Sequence, residues 1–245
     1  MSIIHARIEM FYDLKEKITP ELALDDTCCI MQQINKVSNS SSRWYLPGYD
    51  LDEIKENNVF DESGITEYAK NQFKESYDES FKSIIKTLFD VPGDVKLKNR
   101  IIYSSRDYSN RLGKTDVRIY LSFEKEKFNH SKWTDFVDSL VSNHYSPIIM
   151  IDARGYSLKQ KQVFPDRVYA GWMLYLPIEI DPTLVPMAEE IISISDKNDK
   201  KGSLIITTKD IFDIENQEHI NKANDIEICL RDLQILPLIT EIYTE

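Results

Sequence analysis

Glycine is scarce in this chain. Seven glycines occur in 245 residues, and the closest neighbours lie 16 residues apart. Loops that cradle phosphate need clustered glycines, because only glycine lets the backbone approach the anion closely. A Walker loop, a dinucleotide fingerprint and a kinase-type lid are therefore excluded, and so is a G-x-S-x-G nucleophile elbow. Cysteine is equally sparse. Cys28, Cys29 and Cys229 are odd in number and two are adjacent, which makes no disulfide framework. They read as reduced thiols of a cytoplasmic protein. Histidine occurs four times (His5, His130, His144 and His219), with no pair at metal-ligand spacing and no H-E-x-x-H. No apolar run approaches the roughly 18 residues of a membrane helix. Residues 1–9 lack a basic segment followed by an apolar one, so no secretory signal is expected.

Acid, by contrast, is abundant. Asp and Glu number 41 against 30 Lys and Arg, a net charge of −11. The 42% hydrophobic and 29% charged fractions are those of an ordinary globular chain. A net negative field disfavours a polyanionic partner and favours a basic protein. The length suits a single domain over 1–245, with a subdivision near 90–95 as the alternative.

Residues 6–12 read as a strand. Thr19-Pro20 opens a helix, with Thr19 as N-cap and Pro20 at the first helical position. Trp44-Tyr45-Leu46-Pro47-Gly48-Tyr49 reads as an aromatic plug for the core. Apolar residues at spacings of three and four from Ile65 to Phe89 predict the longest helix, stopped by Pro92-Gly93. Residues 97–103 and 116–123 predict a hairpin across Gly113, with Val117, Ile119, Leu121 and Phe123 inward. A short helix capped by Ser131 follows, then strands over 148–151, 170–176, 190–195 and 203–208. A helix over 216–234 closes the pattern. Strands and helices mix without strict βαβ alternation. The expected class is α+β, a mixed, mainly antiparallel sheet packed with several helices.

No catalytic constellation emerges. Asp152-Ala153-Arg154 follows a buried strand, a place that carries catalytic groups in α/β enzymes, but with no second polar motif nearby it reads first as a structural ion pair. Asp116 and Glu124, the carboxylates a metal nuclease would add, lack a lysine at the right strand parity. No cofactor and no metal is expected.

The stretch Phe164-Pro165-Asp166-Arg167-Val168-Tyr169-Ala170-Gly171-Trp172-Met173-Leu174-Tyr175-Leu176-Pro177 resembles the signature of the Immunity protein 52 family of bacterial polymorphic toxin systems. The likeness continues through Gly202–Ile206, Asn216, His219 and Leu236-Pro237, and more weakly through Trp44-Tyr45. It is specific over roughly the C-terminal third. It implies a cytoplasmic, non-enzymatic antitoxin. Such a protein binds a nuclease-type toxin of restriction-endonuclease-like fold, delivered by a type VI or related secretion route. Within the signature, Asp166, Arg167, Gly171, Trp172, Met173, Tyr175 and Pro177 read as structural, because large aromatics in strands usually bury.

An inhibitor of a nuclease can place carboxylates where phosphates would lie. The candidate contact surface is Asp50, Asp52, Glu53, Glu56, Asp61 and Glu62, with Asp210, Asp213, Glu215 and Glu218 from an acidic segment, 209–245. The alternatives are a divalent-metal nuclease or hydrolase using Asp152 with nearby carboxylates, and a structural component of a secretion assembly.

Overall fold

The computed structural model describes residues 2–38, 43–61, 63–91, 98–108 and 111–243. Among them are eleven strands and six α-helices. The fold is α+β, and every strand pair with a resolved register is antiparallel. The chain forms two compact units, one of Met1–Ile3 with Asp13–Leu140, the other of Ile4–Tyr12 with Val141–Glu245.

The first unit begins with α1 (Pro20–Ser38), opened by the Thr19 hydroxyl accepting from Leu22 N–H at 3.1 Å. Its buried face carries Ala23, Leu24, Thr27, Cys28, Ile30, Met31 and Ile34. β2 (Trp44–Tyr45), α2 (Leu51–Glu56), β3 (Asn58–Asp61), β4 (Gly64–Ile65) and α3 (Glu67–Glu75) follow. Then come β5 (Ser83–Phe89), β6 (Arg100–Arg106) and β7 (Lys114–Glu124). The strands lie in the order β7-β6-β5-β2-β3-β4. Their inner face buries Ile84, Leu88, Ile101, Tyr103, Val117, Ile119 and Leu121. Tyr103 reaches α1 through a 3.1 Å hydrogen bond to Asp26, and Trp44 does so through a 2.9 Å bond to Asn35.

Two expectations fail here. The helix over 65–89 is a strand end, a short helix and a strand. Thr66 caps α3 by accepting from Ala69 N–H at 3.1 Å, and α3 ends at Glu75. Asp78 then accepts from the N–H groups of Ser80 and Phe81, and Lys82 turns into the left-handed region at φ 46°. Beyond that turn the buried residues are Ile84, Lys86 and Leu88, a period of two. Phe81 and Ile85, which completed the helical stripe on paper, are 74% and 65% exposed. The β-branched run Ile84-Ile85 and Thr87 suits a pleated strand. The stop assigned to Pro92-Gly93 lies outside the described residues. The second failure is small. α4 (His130–Ser142) is capped by Asn129, whose side chain accepts from Lys132 N–H at 3.0 Å, and not by Ser131.

The second unit holds β1 (Ile3–Asp13), β8 (Tyr145–Ala153), β9 (Met173–Leu176), β10 (Glu190–Ser195) and β11 (Lys201–Ile206), in the order β10-β11-β9-β8-β1. Arg154 N–H donates to His5 C=O at 3.1 Å. Tyr12 lies against His144 with ring centroids 4.3 Å apart. The end of β8 thus meets the start of β1 and the reverse, so this pair also runs antiparallel. All four residues of β9 are buried, as are Gly202 to Ile206 of β11. These strands are covered on both faces, which explains their unbroken apolar runs. α5 (Gln217–Asp232) and α6 (Ile239–Tyr243) complete the unit.

Candidate functional site

The signature stretch occupies the second unit and builds its interior. Met173, Leu174 and Tyr175 of β9 face Ile151, Met150 and Ile149 of β8. Trp172 precedes the strand but extends its ladder. Its N–H donates to Ile151 C=O at 2.9 Å, and its C=O accepts from Thr207 N–H at 3.0 Å. Its indole N–H donates to Thr208 C=O at 3.1 Å. The Tyr175 hydroxyl donates to Ile194 C=O at 3.2 Å. Gly171 sits at φ +49°, and a Cβ there would stand 2.9 Å from Ile151 O. Both facts require glycine at the entry to the strand. Pro177 is half-buried just past its end.

Asp166 and Arg167 clamp the C-terminal segment. Arg167 donates its guanidinium to Leu236 C=O. Val168 N–H donates to Pro237 C=O at 3.1 Å, and Ile239 N–H to Asp166 C=O at 2.9 Å. The Asp166 side chain is exposed. The seven signature residues therefore bury, turn or tie the chain.

Behind them lie two buried carboxylates. Asp152 is 1% exposed. Its oxygens accept from Tyr156 N–H at 2.7 Å, Ser157 N–H at 3.0 Å and the Ser157 hydroxyl at 3.1 Å. Burial pushes its carboxyl above the usual range, against the pull of those hydrogen bonds. Asp152 thus anchors a loop, and among the described residues it forms no salt bridge, while Arg154 pairs with Asp213 at 2.8 Å. Glu227, on α5, is also 1% exposed. It accepts from Val163 N–H at 2.8 Å, Ala170 N–H at 3.0 Å and the Tyr156 hydroxyl at 2.9 Å. Burial raises its pKa to about 7, although the three donors favour the charged form. Glu227 ties α5 to both ends of the loop that carries the signature.

The sequence counted Glu227 with the acidic C-terminal segment and missed its burial. The clue was present. Glu227 stands four residues after Ala223 and seven after Ile220, on the apolar stripe of α5. Of the adjacent thiols, Cys28 is buried and Cys29 half-buried. Burial pushes Cys28 up to about 12, which leaves it a weak nucleophile.

The candidate contact carboxylates fall on different units. In the first, Asp50 accepts from Asp52 N–H and Glu53 N–H at the start of α2. Glu53 accepts from Tyr49 N–H at 2.7 Å. Asp61 accepts from the N–H and hydroxyl of Ser63, which lower its pKa. Asp52 pairs with Lys55 at 3.2 Å. Glu56 is exposed, and Glu62 lies outside the described residues. In the second unit, Asp213 is half-buried against Arg154, and Glu215 lies 3.5 Å from Lys159. Asp210 and Glu218 are exposed.

The aromatic plug divides in two. Trp44, Tyr45 and Leu46 are buried, whereas Tyr49 is fully exposed at 101% and Leu51 is 51% exposed. An exposed Tyr and Leu bracket Asp50 and lead into the acidic helix α2. Hydropathy alone did not separate the two halves of that loop.

Among the described residues no group of three His, Cys, Asp or Glu side chains is arranged to hold a metal ion. No helix among the described residues is long and apolar enough to cross a membrane. No family model and no curated protein matches the chain.

Proposed function

We propose that this protein is a cytoplasmic, non-enzymatic antitoxin of the Immunity protein 52 kind, which neutralises a nuclease-type toxin by binding it. The observation that carries the reading is the patch at Tyr49. A fully exposed tyrosine and the N-cap Asp50 lead into a short helix that carries an exposed Leu51 and the carboxylates of Asp52 and Glu56. Interface hot spots are enriched in tyrosine, and a polar rim around them sets partner choice and on-rate. A ring among carboxylates suits a partner whose surface is basic, as the substrate groove of a nuclease must be. The signature residues support the reading differently: they hold the fold and leave recognition to surface residues elsewhere.

The test is co-purification with the product of the neighbouring reading frame, with DNA cleavage assayed on the complex. A stable complex with lost cleavage is the expected result. A toxin that cleaves DNA undisturbed at saturating antitoxin would sink the proposal. Association should slow as salt rises. A salt-independent on-rate would remove the acidic contact while leaving inhibition in place.

A further inference from the structure

Charge is not spread evenly along this chain. Residues 95–120 carry seven cations and two carboxylates, a net +5 inside a chain of net −11. The fold gathers four of those cations on one surface. In β6 the inward residues are Ile101, Tyr103 and Ser105, so Arg100, Ile102, Ser104 and Arg106 face outward. In β7 the same alternation turns Lys114, Asp116, Arg118 and Tyr120 outward. The register then lays out four rows: Phe89–Arg100–Tyr120, Thr87–Ile102–Arg118, Ile85–Ser104–Asp116 and Ser83–Arg106–Lys114. Strands spaced ~4.8 Å apart, with rows two residues apart, spread these cations over roughly 20 Å along the strands.

Aromatic rings are interleaved with the cations. The Arg100 guanidinium lies 4.0 Å from the Tyr120 ring centroid, and Lys98 Nζ lies 4.1 Å from that of Phe89. Arg106 and Arg111 approach the Tyr108 ring at 5.2 and 4.4 Å. Neutralisation is partial. Lys114 lies 3.5 Å from Asp13, and Arg118 lies 3.4 Å from Asp116. Arg100 Nε is shielded from water and has no acceptor. The face is open, with Ile85 65% exposed and Arg118 44% exposed along its side chain.

We infer that the outer face of β5–β7 binds single-stranded nucleic acid, with Arg100, Arg106, Lys114 and Arg118 holding phosphates and Tyr120 and Ile102 lying under the bases. A flat sheet with interleaved arginines and rings offers a backbone track and apolar seats together, the two parts of a sequence-tolerant single-strand site. A duplex would present mainly phosphate and leave the apolar seats empty. The inference is independent of toxin binding, which is placed on the acidic patch at Tyr49. The acidic remainder of the chain repels a polyanion at long range, so binding should be weak and confined to low salt.

The test is fluorescence anisotropy of the full chain with a fluorescein-labelled 12-nucleotide oligo(dT). Saturable binding is expected at low salt, with log K falling against log salt at a slope of about −2 to −3 for up to four phosphates engaged. A duplex of equal length should bind more weakly. Arg100→Ala with Arg118→Ala should weaken binding at least about tenfold and flatten the slope by about 1.4. Arg100→Lys should keep the slope and lose affinity, because the flat stack on Tyr120 is gone. Melting curves identify a variant that fails to fold, and Arg106→Gln on its exposed end of the row then serves instead. Absence of saturable binding, a slope near zero, or equal binding of a poly-glutamate peptide would each overturn the inference.

Discussion

β9 and the β5–β7 strands are both antiparallel sheet, yet they use their faces differently. Met173 to Leu176 bury every side chain. In β5 to β7 one face is buried and the other meets solvent with arginines, a tyrosine and isoleucines. A strand covered on both sides has nothing left for recognition, so its residues are selected by packing. A strand with an open face can carry chemistry there at little cost to the fold. The most recognisable motif of this chain therefore marks its architecture, and the two surfaces proposed to meet partners lie at Tyr49 and on β6 and β7.

The contrast can be broken most sharply at Glu227. Glu227→Ala leaves the N–H groups of Val163 and Ala170 without their acceptor, while the Tyr156 hydroxyl keeps Asn224 Oδ1 at 2.7 Å. Orphaned buried donors cost about 1–3 kcal/mol each before relaxation, so a loss of about 4 kcal/mol is expected in urea denaturation. Glu56→Ala, on the exposed acidic helix, should move stability by less than about 0.5 kcal/mol. Equal effects at the two sites would erase the distinction between the regions.

Gly202→Ala probes the same interior by crowding. A Cβ there would stand 2.2 Å from Tyr175 Oη and 2.5 Å from Leu176 O. The ring must swing away and give up its bond to Ile194 C=O, at an expected cost of about 2–3 kcal/mol. Gly64→Ala meets no atom within 4 Å. Its φ of +110° still strains alanine, and the smaller of the two melting-temperature losses is expected there.

A third effect is a pH dependence supplied by the buried carboxylates. Folding raises the pKa of Glu227 from 4.5 to about 7 by burial. Between those values the folded chain holds a proton that the unfolded chain releases. That contribution to stability is full below 4.5 and fades as pH rises through 7, by about 2 kcal/mol between pH 5 and pH 7. Asp152, also raised by burial, acts with the same sign. Glu227→Gln cannot ionise and should flatten the slope of melting temperature against pH, whatever its own cost. An unchanged slope would place the proton elsewhere.

Much of the fold could be read from residue order. The Thr19-Pro20 start of α1 follows from local chemistry, as does the hairpin of β6 and β7. The strand over 190–195 followed from the charged turn after it, and the strand expected at 203–208 starts two residues earlier, at Lys201, and ends at Ile206. The error at 65–89 has a physical cause. Positions 77, 81, 84, 85 and 88 satisfy a spacing of three and four while 84, 86 and 88 satisfy two, and the Asp78–Ser83 turn decides between them. Part of the candidate surface was legible as well, since Asp50, Asp52 and Glu56 do face water. Burial of Glu227 was not, because a carboxylate enters a core only when donors distant in sequence converge on it. Val163 and Ala170 are 64 and 57 residues away.

The smallest expected change in stability belongs to Tyr49→Ala, and it separates fold from function most cleanly. The ring is fully exposed, so its removal deletes no interior contact and should shift stability by less than about 0.5 kcal/mol. In a complex the same ring would be a buried anchor, and its truncation should weaken toxin binding by about tenfold or more. Glu56→Lys should slow association with a basic partner and steepen no salt dependence, because it removes attraction at the rim. A Tyr49→Ala protein that binds and inhibits as the parent does would move the interface away from α2. The acidic residues Asp210 and Glu218 of the second unit would then be the next to change. A loss of binding with an unchanged melting curve would fix recognition to the aromatic that, among the described residues, is left wholly in water.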